Sequence, residues 1–301
     1  MTADLITQDA PTSVEMPVPM WRQRLKIFTQ NKLAIASVLY LLIVTLFCFL
    51  WPHLHPTNQT NQNLAINNPI NQSPNSQFWL GTDSSGFDIL GRIAYGGEYS
   101  LTLGFLAGIV TIVVGTLYGM ISGFLGGVVD TVMMRVLDAF LSIPYLFLLI
   151  TLVTLFARTA SLLILTIGLT GWWGTARIIR ADAMLIRNLE YSQASVTMGA
   201  SKWHIIRRHV FPNSISNIVT VATFSVADAI LFLSTLGFLG LGLQAPQTDW
   251  GTMLQNGAEL IPNGYWWEVY PLAAIFILVV VAINYIGDAL RDAFEVRLLE
   301  R

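Results

Sequence analysis

Apolar residues gather in six runs along the chain, at roughly 33–51, 100–122, 137–157, 160–179, 215–239 and 270–287. Each approaches the ~20 residues a helix needs to cross the hydrocarbon of a bilayer. The fourth run closes on Arg177 and Arg180, whose long side chains must reach back toward water. Two polar stretches separate the runs most widely. Residues 52–99 are rich in Asn and Gln, among them Asn58, Gln59, Asn61, Gln62 and Asn63. Such a bias can accompany prion-like behaviour, but a solvated connecting loop accounts for it here. Residues 187–212 instead read RNLEYSQASVTMGASKWHIIRRHVFP, a charged and helix-prone stretch. The pattern predicts an all-α polytopic membrane protein with six transmembrane helices. Its organisation reads as a segment 1–32, a first span with its external loop over 33–99, a five-helix core over 100–290 containing the loop 187–212, and a tail 291–301.

Composition strengthens this picture. Hydrophobic residues make up 54% of the 301 and charged residues 11%, against about 25% charged in a typical soluble domain. The net charge of −2 carries no bulk basic signal for nucleic acid. Lys and Arg placement then sets the orientation. Arg22, Arg24, Lys26 and Lys32 precede the first run, Arg135 lies between the second and third, and a cluster from Arg177 to Arg208 lies between the fourth and fifth. Arg291, Arg297 and Arg301 follow the sixth. Only Arg92 and Arg158 of the 16 basic residues fall on the other side. The positive-inside rule therefore puts both termini in the cytoplasm, as an even number of spans requires. Residues 52–99 and 240–269 become external loops, and Tyr265, Trp266, Trp267 and Tyr270 fit an interfacial aromatic belt. The first run is too long for a secretory signal and ends in Trp51-Pro52-His53 without a small-x-small cleavage site.

Within the runs, Gly104, Gly108, Gly115, Gly119 and Gly123 fall near one helical face. Such a stripe lets a second helix approach at backbone distance, and packing is the expected role rather than pore lining. Asp228 lies inside the fifth run, where an ionisable group is costly and usually faces a cavity or a partner. It is the candidate pore or gating residue. Asp138 and Asp288 sit at run ends, where solvation is easy.

Several chemistries are absent. A P-loop needs Lys after a glycine-rich turn, and none of Lys26, Lys32 and Lys202 follows a glycine. Neither His-Glu-x-x-His nor Gly-x-Ser-x-Gly occurs. His53 and His55, beside Pro52 and Pro56, read as loop rather than metal site. The single cysteine, Cys48, excludes an internal disulfide or a cysteine metal cluster.

In the loop 187–212, residues 190–198 read as a short helix with Tyr191, Ala194 and Met198 on one face. Gly199 suits its left-handed terminator. Ser201 suits the cap of a second helix over 202–211, and Pro212 opens the next segment. Small Ala194 and Ser195 leave room for a partner to approach. Periodicity alone leaves two readings open: a helix resting on lipid headgroups, or a dock for a soluble protein.

This loop resembles the EAA loop of permeases in the oligopeptide and dipeptide ABC importer family. Glu190, Tyr191, Ala194, Gly199, Ala200, Ser201, Arg208, His209, Pro212 and Asn213 match that pattern, while Gln193 stands where the family has glutamate and Ser195 where it has alanine. The likeness runs over about residues 20–295. Leu80-Gly81-Thr82-Asp83-Ser84-Ser85-Gly86 is similar to the family's LGTDxxGRD box, with Phe87 in place of arginine and Asp88 retained. Ser142-Ile143-Pro144, Leu236 to Gly242 with Trp250-Gly251, and Gly287-Asp288-Ala289-Leu290-Arg291-Asp292 resemble further boxes. The C-type subunit of the oligopeptide permease is the nearest pattern. The acidic residue usual near the end of the fifth span is Leu233 here, and Asp228 lies five positions earlier on another face.

The resemblance implies a type I ABC importer permease fold and half of a heterodimeric pore in a bacterial inner membrane. It further implies a homologous permease as partner, two ABC ATPase subunits carrying ATP and Mg, and an extracytoplasmic substrate-binding protein. Glu190, Tyr191, Gln193, Ala194, Met198, Gly199, Ala200 and Pro212 would couple the pore to the ATPases. No catalytic, cofactor or metal site is implied in this chain. A self-contained secondary transporter is the rival class. It needs intramembrane charge pairs, and Asp228 has no cationic counterpart in any apolar run.

Overall fold

The computed structural model describes residues 20–55, 65–156 and 158–295. The Asn- and Gln-rich positions 58–63, together with Arg297 and Arg301, lie outside the described residues.

Among the described residues the chain is helical, with one isolated bridge between Thr82 and Asp88 as its only extended pairing. Four helices are long and apolar enough to cross a membrane, and two bent helix pairs raise the number to six if each pair is one span. Helix α1 (Met20–Gln30) lies in the segment 1–32 that precedes the first span and packs on the last helix, where the Arg24 guanidinium stands 4.4 Å from the Phe294 ring centre. Asn31 then caps α2 (Lys32–Leu54), accepting the N–H groups of Leu33 and Ala34. His53 belongs to the last turn of α2 rather than to a loop.

Helix α3 (Ile89–Leu125) is 37 residues long and begins eleven positions before the expected second span. The turn before it supplies the reason. Asp88 caps α3 through Gly91 N–H, so residues 89–99, expected in the external loop, continue the helix.

The expected third span, 137–157, is not one helix. Helices α4 (Gly127–Leu141) and α5 (Tyr145–Leu155) meet at 79° across Ser142-Ile143-Pro144. Pro144 donates no N–H and disfavours helical geometry in the residue before it, so the apolar run breaks there. The fourth span is likewise bent, by 43°, between α6 (Ala160–Gly171) and α7 (Trp173–Arg187). Hydropathy counts apolar residues and does not register a bend.

After α7 come α8 (Glu190–Thr197) and α9 (Lys202–Ile205), and a wide π turn at Ile206–Val210 leads into α10 (Phe211–Leu236). The 202–211 stretch is therefore not a separate helix, because the path is helical from Lys202 to Leu241. Pro212 cannot donate to a carbonyl one turn back, and the wide turn just before it relaxes the ladder at that point. A second π turn at Gly237–Leu241 ends the rod. The stretch 240–269 is more ordered than a loop: it holds α11 (Trp250–Ala258) and two short turns before α12 (Tyr270–Glu295).

Helix α3 is the central mast, contacting α2, α6, α7 and α10. Its glycine stripe makes that possible. A Cβ at Gly104 or Gly108 would strike Ile230 or Val226 of α10, and one at Gly115, Gly119 or Gly123 would strike α7 between Trp172 and Ala183. Lipid gives apolar helices little hydrophobic reason to associate, so close packing of this kind holds them together. The stripe serves packing inside the subunit, as expected, and none of its glycines lines a described cavity.

Candidate functional sites: an exposed loop helix and a mid-span cavity

Helix α8 is short, and its two faces differ sharply. Ser192 and Ser195 point inward and are buried. Ser195 Oγ donates to Tyr191 O at 2.9 Å and lies 3.2 Å from His209 Nε2. The Tyr191 and His209 rings are 5.5 Å apart. Tyr191, Gln193, Ala194, Met198 and Gly199 are exposed, with Met198 at 80%. Glu190 and Pro212 are exposed as well. The Tyr191–Ala194–Met198 face is thus the outward one. Ser195, expected to admit a partner, faces the protein instead.

Gly199 ends α8 in the left-handed region, with φ +82°. Ala200 N–H reaches Ser195 O at 3.1 Å and Gly199 N–H reaches Val196 O at 3.0 Å. That pair of bonds is the Schellman arrangement, which closes the orphan carbonyls of a helix end. Ser201 then caps the following turn through His204 N–H. Ala200 is half-buried and joins a core of Met120, Phe124, Ile179, Ala183, Ile205 and Val210. It roots the loop rather than facing outward. The loop therefore exposes Leu189, Tyr191, Val196, Met198 and Trp203 on a base locked to α3, α7 and α10.

The base is braced further along α3 and α7. Arg180 grips Asp130 with both Nε and Nη2, at 2.5 and 2.6 Å, and Ser122 Oγ donates to the same carboxylate. Asp138 pairs with Arg177, and both are well exposed, as expected for a solvated rim.

Asp228 lies far from this loop, on α10. It is exposed on the wall of a cavity of about 470 Å3. Tyr145, Thr170, Trp173, Thr175 and Ser225 share that wall. Tyr145 is central: its ring stands edge-on to Phe232 at 4.5 Å and to Trp173 at 5.9 Å, and Thr170 Oγ1 lies 3.4 Å from its hydroxyl. Thr175 and Ser225 hydroxyls are 3.5 Å apart. A single carboxylate among aromatic and hydroxyl groups can hold a cation or a polar solute without binding it tightly. Sequence reasoning missed Tyr145, Trp173 and Thr175. Their only signal was the Ser142-Ile143-Pro144 break, which turns Tyr145 into the cavity.

At the opposite end, the Gly81–Asp88 box is a folded cap. Thr82 Oγ1 accepts Gln72 N–H and donates to Pro69 O, and Asp83 Oδ1 accepts the N–H groups of Ser85 and Phe87. Burial holds the Asp83 carboxyl above the ordinary carboxylate range, although those N–H donors pull it down. The Arg92 guanidinium lies 4.7 Å from the Phe87 ring centre, so the residue that replaces the family's arginine still meets a cation. Asp249 caps α11, and Trp250 is fully buried, its indole N–H donating to Ile93 O of α3.

Residues 115–300 match the family described as binding-protein-dependent transport system inner membrane component. This chain belongs to that family. Residues 19–74 of this family member also match the N-terminal TM domain of oligopeptide transport permease C. It is similar to the dipeptide transport system permease protein DppC of Bacillus subtilis (strain 168), 37% identical over 278 residues, or 92% of this chain and 85% of that protein. It is 38% identical to the oligopeptide transport system permease protein OppC of Escherichia coli (strain K12), covering 92% of this chain and 91% of that one. A chain of the MetNI methionine ABC transporter, in an inward-facing form, aligns with TM-score 0.51 at 20% identity, over 67% of this chain and 95% of that one. This last likeness speaks to fold alone.

Proposed function

We propose that this permease forms half of the pore of an ATP-driven importer for oligopeptides or dipeptides. A homologous permease completes the pore, two ATPase subunits bind at the 187–212 loop, and a soluble binding protein delivers substrate to the opposite side. The observation that carries the proposal is the two-sided α8: an exposed Tyr191–Ala194–Met198 face on a root of Ser192, Ser195 and Ala200. A lever needs both a contact surface and a stiff root. Closure of the ATPases on ATP pushes α8, and the rod from Lys202 to Leu241 carries the motion to Asp228 and the cavity. Lipid headgroups would need neither Glu190 nor Gln193 at the exposed face, which favours a protein partner over membrane contact.

The names of the relatives support a peptide substrate. Another small solute, such as nickel or a sugar, is the alternative within the same importer class. The charge split supports cytoplasmic termini, with 65–88 and 242–268 outside.

The test is the assembled importer in proteoliposomes. Ala194→Asp and Gly199→Asp should each cut substrate-stimulated ATP hydrolysis at least ~10-fold while the permease still inserts. Normal ATPase co-purification and normal stimulation in both variants would sink the coupling assignment. Labelling of Ser76→Cys by an impermeant maleimide from the cytoplasmic side alone would overturn the orientation.

A further inference from the structure

The turn 83–88 and the segment 243–256 enclose a small polar pocket of about 150 Å3. Glu268 lines it. Its side chain is 6% exposed, and its Oε1 meets no hydrogen-bond donor among the described residues. Of the neighbouring carboxylates, Asp83 accepts two backbone N–H groups of its own turn, while Asp88 accepts Gly91 N–H at Oδ2 and its Oδ1, off the pocket wall, also meets no donor among the described residues. Arg92 also lines the pocket, donating to Pro246 O and lying over Phe87. A buried carboxylate oxygen without a donor is costly, and it is stabilised by whatever brings one.

We propose that this pocket is a socket for one basic side chain, Lys or Arg, presented by the soluble binding protein. The inference rests on the importer reading above, which places this end outside. Four observations support it. The first is size: about 150 Å3 admits the tip of one side chain, whereas small-molecule sites run to about 300–1,000 Å3. The second is acceptor chemistry: the wall sets the carboxyl oxygens of Glu268 and Asp83 beside the single guanidinium of Arg92. The third is chemistry. No group of three or more His, Cys, Asp or Glu among the described residues is placed to hold a metal ion, whereas an ammonium or guanidinium brings several N–H donors to scattered oxygens. The fourth is the surround. Ile66, Ile70 and Trp79 are large, apolar and at least 64% exposed on the segment packed against the turn 81–86. Aromatic and aliphatic surface around a desolvated polar anchor is the anatomy of a protein interface.

The experiment uses the whole importer in nanodiscs with its binding protein. Glu268→Gln should weaken docking ~10-fold, while stimulation at saturating binding protein stays near wild type. Asn256→Arg, which sets the permease's own cation at this pocket, should weaken docking similarly. Co-purification with the ATPases reports that both variants assemble. A scan of basic residues on the binding protein should find one whose replacement weakens docking to wild type but not further to Glu268→Gln. Free methylguanidinium should compete with wild-type docking. Unchanged docking by both variants, or no basic residue coupled to Glu268, overturns the socket. So does unchanged docking with a raised KM for uptake, which would place a substrate amine there instead. A wild-type complex that its binding protein never stimulates sinks the importer reading, and the socket with it.

Discussion

The two ends of this permease carry equally dense sequence boxes and use them in opposite ways. At the cap end, Thr82, Asp83, Asp249 and Trp250 turn their polar atoms onto nearby backbone, so the box itself is used for folding and only the pocket at Glu268 beside it is left for a partner. At the loop end, Tyr191, Ala194 and Met198 make no such bonds and stand in the open, while only the serines between them are anchored. The cap's sequence boxes are scaffold and the loop's are surface. A motif marks a place that matters, and burial decides whether it matters for folding or for contact.

The sharpest way to break this comparison is Trp250→Ala. The indole is fully buried, its N–H donates to Ile93 O, and the Trp250 backbone N–H donates to Ser100 Oγ at 2.9 Å. Removing so large a side chain should cost about 3–5 kcal/mol. Thermal unfolding of the purified permease should show a large drop in midpoint, whereas Ala194→Asp leaves it unmoved. If Trp250→Ala unfolds like wild type, the cap is not scaffold.

Gly119→Val tests the mast between the two ends. A Cβ at Gly119 would stand 2.5 Å from Ala176 O and 2.9 Å from Arg180 N, backbone atoms that cannot step aside. Overpacking of this kind costs about 1–3 kcal/mol. Because α7 leads into the 187–212 loop proposed to meet the ATPases, the variant should lose both stability and stimulated hydrolysis. A loss of hydrolysis alone would mean that the stripe transmits motion without holding the fold.

Much of this architecture was legible in the sequence. Long apolar runs report lipid directly, so the first, second, fifth and sixth spans were readable from hydropathy, within shifts at their ends. The glycine spacing reported a packed face because 3.6-residue periodicity survives any tertiary context. The loop helix was readable for the same reason, and Gly199 for its freedom to turn left-handed. The bend in the third span went unread because hydropathy ignores direction: the run turns by 79° at Ser142-Ile143-Pro144 without losing apolar content. The start of α3 was missed because Asp88 and the turn before it form a cap through contacts distant in sequence, such as Gln72 with Thr82. The cavity wall at Tyr145, Trp173 and Asp228 joins three helices. Only Asp228 announced itself, because charge in an apolar run stands out and an aromatic there does not.

The smallest expected effect is the most discriminating for the loop end. Gly199 has φ +82°, and a Cβ built on it meets nothing within 4 Å. Gly199→Ala therefore adds no clash, and its only penalty is the left-handed backbone, about 1 kcal/mol. Asn tolerates that region better, so Gly199→Asn should lose less. Both variants keep the Ala200-to-Ser195 and Gly199-to-Val196 bonds within reach, so α8 should still end in the same place. Stimulated hydrolysis should stay within about twofold of wild type in Ala and Asn, and fall only in Asp, where a charge enters the exposed face. Equal loss in all three would mean that the bend itself, rather than the surface it aims, is what the ATPase reads. Equal retention in all three would mean that the partner does not touch this face, and the contrast between a buried cap and a contacting loop would fail at its functional half.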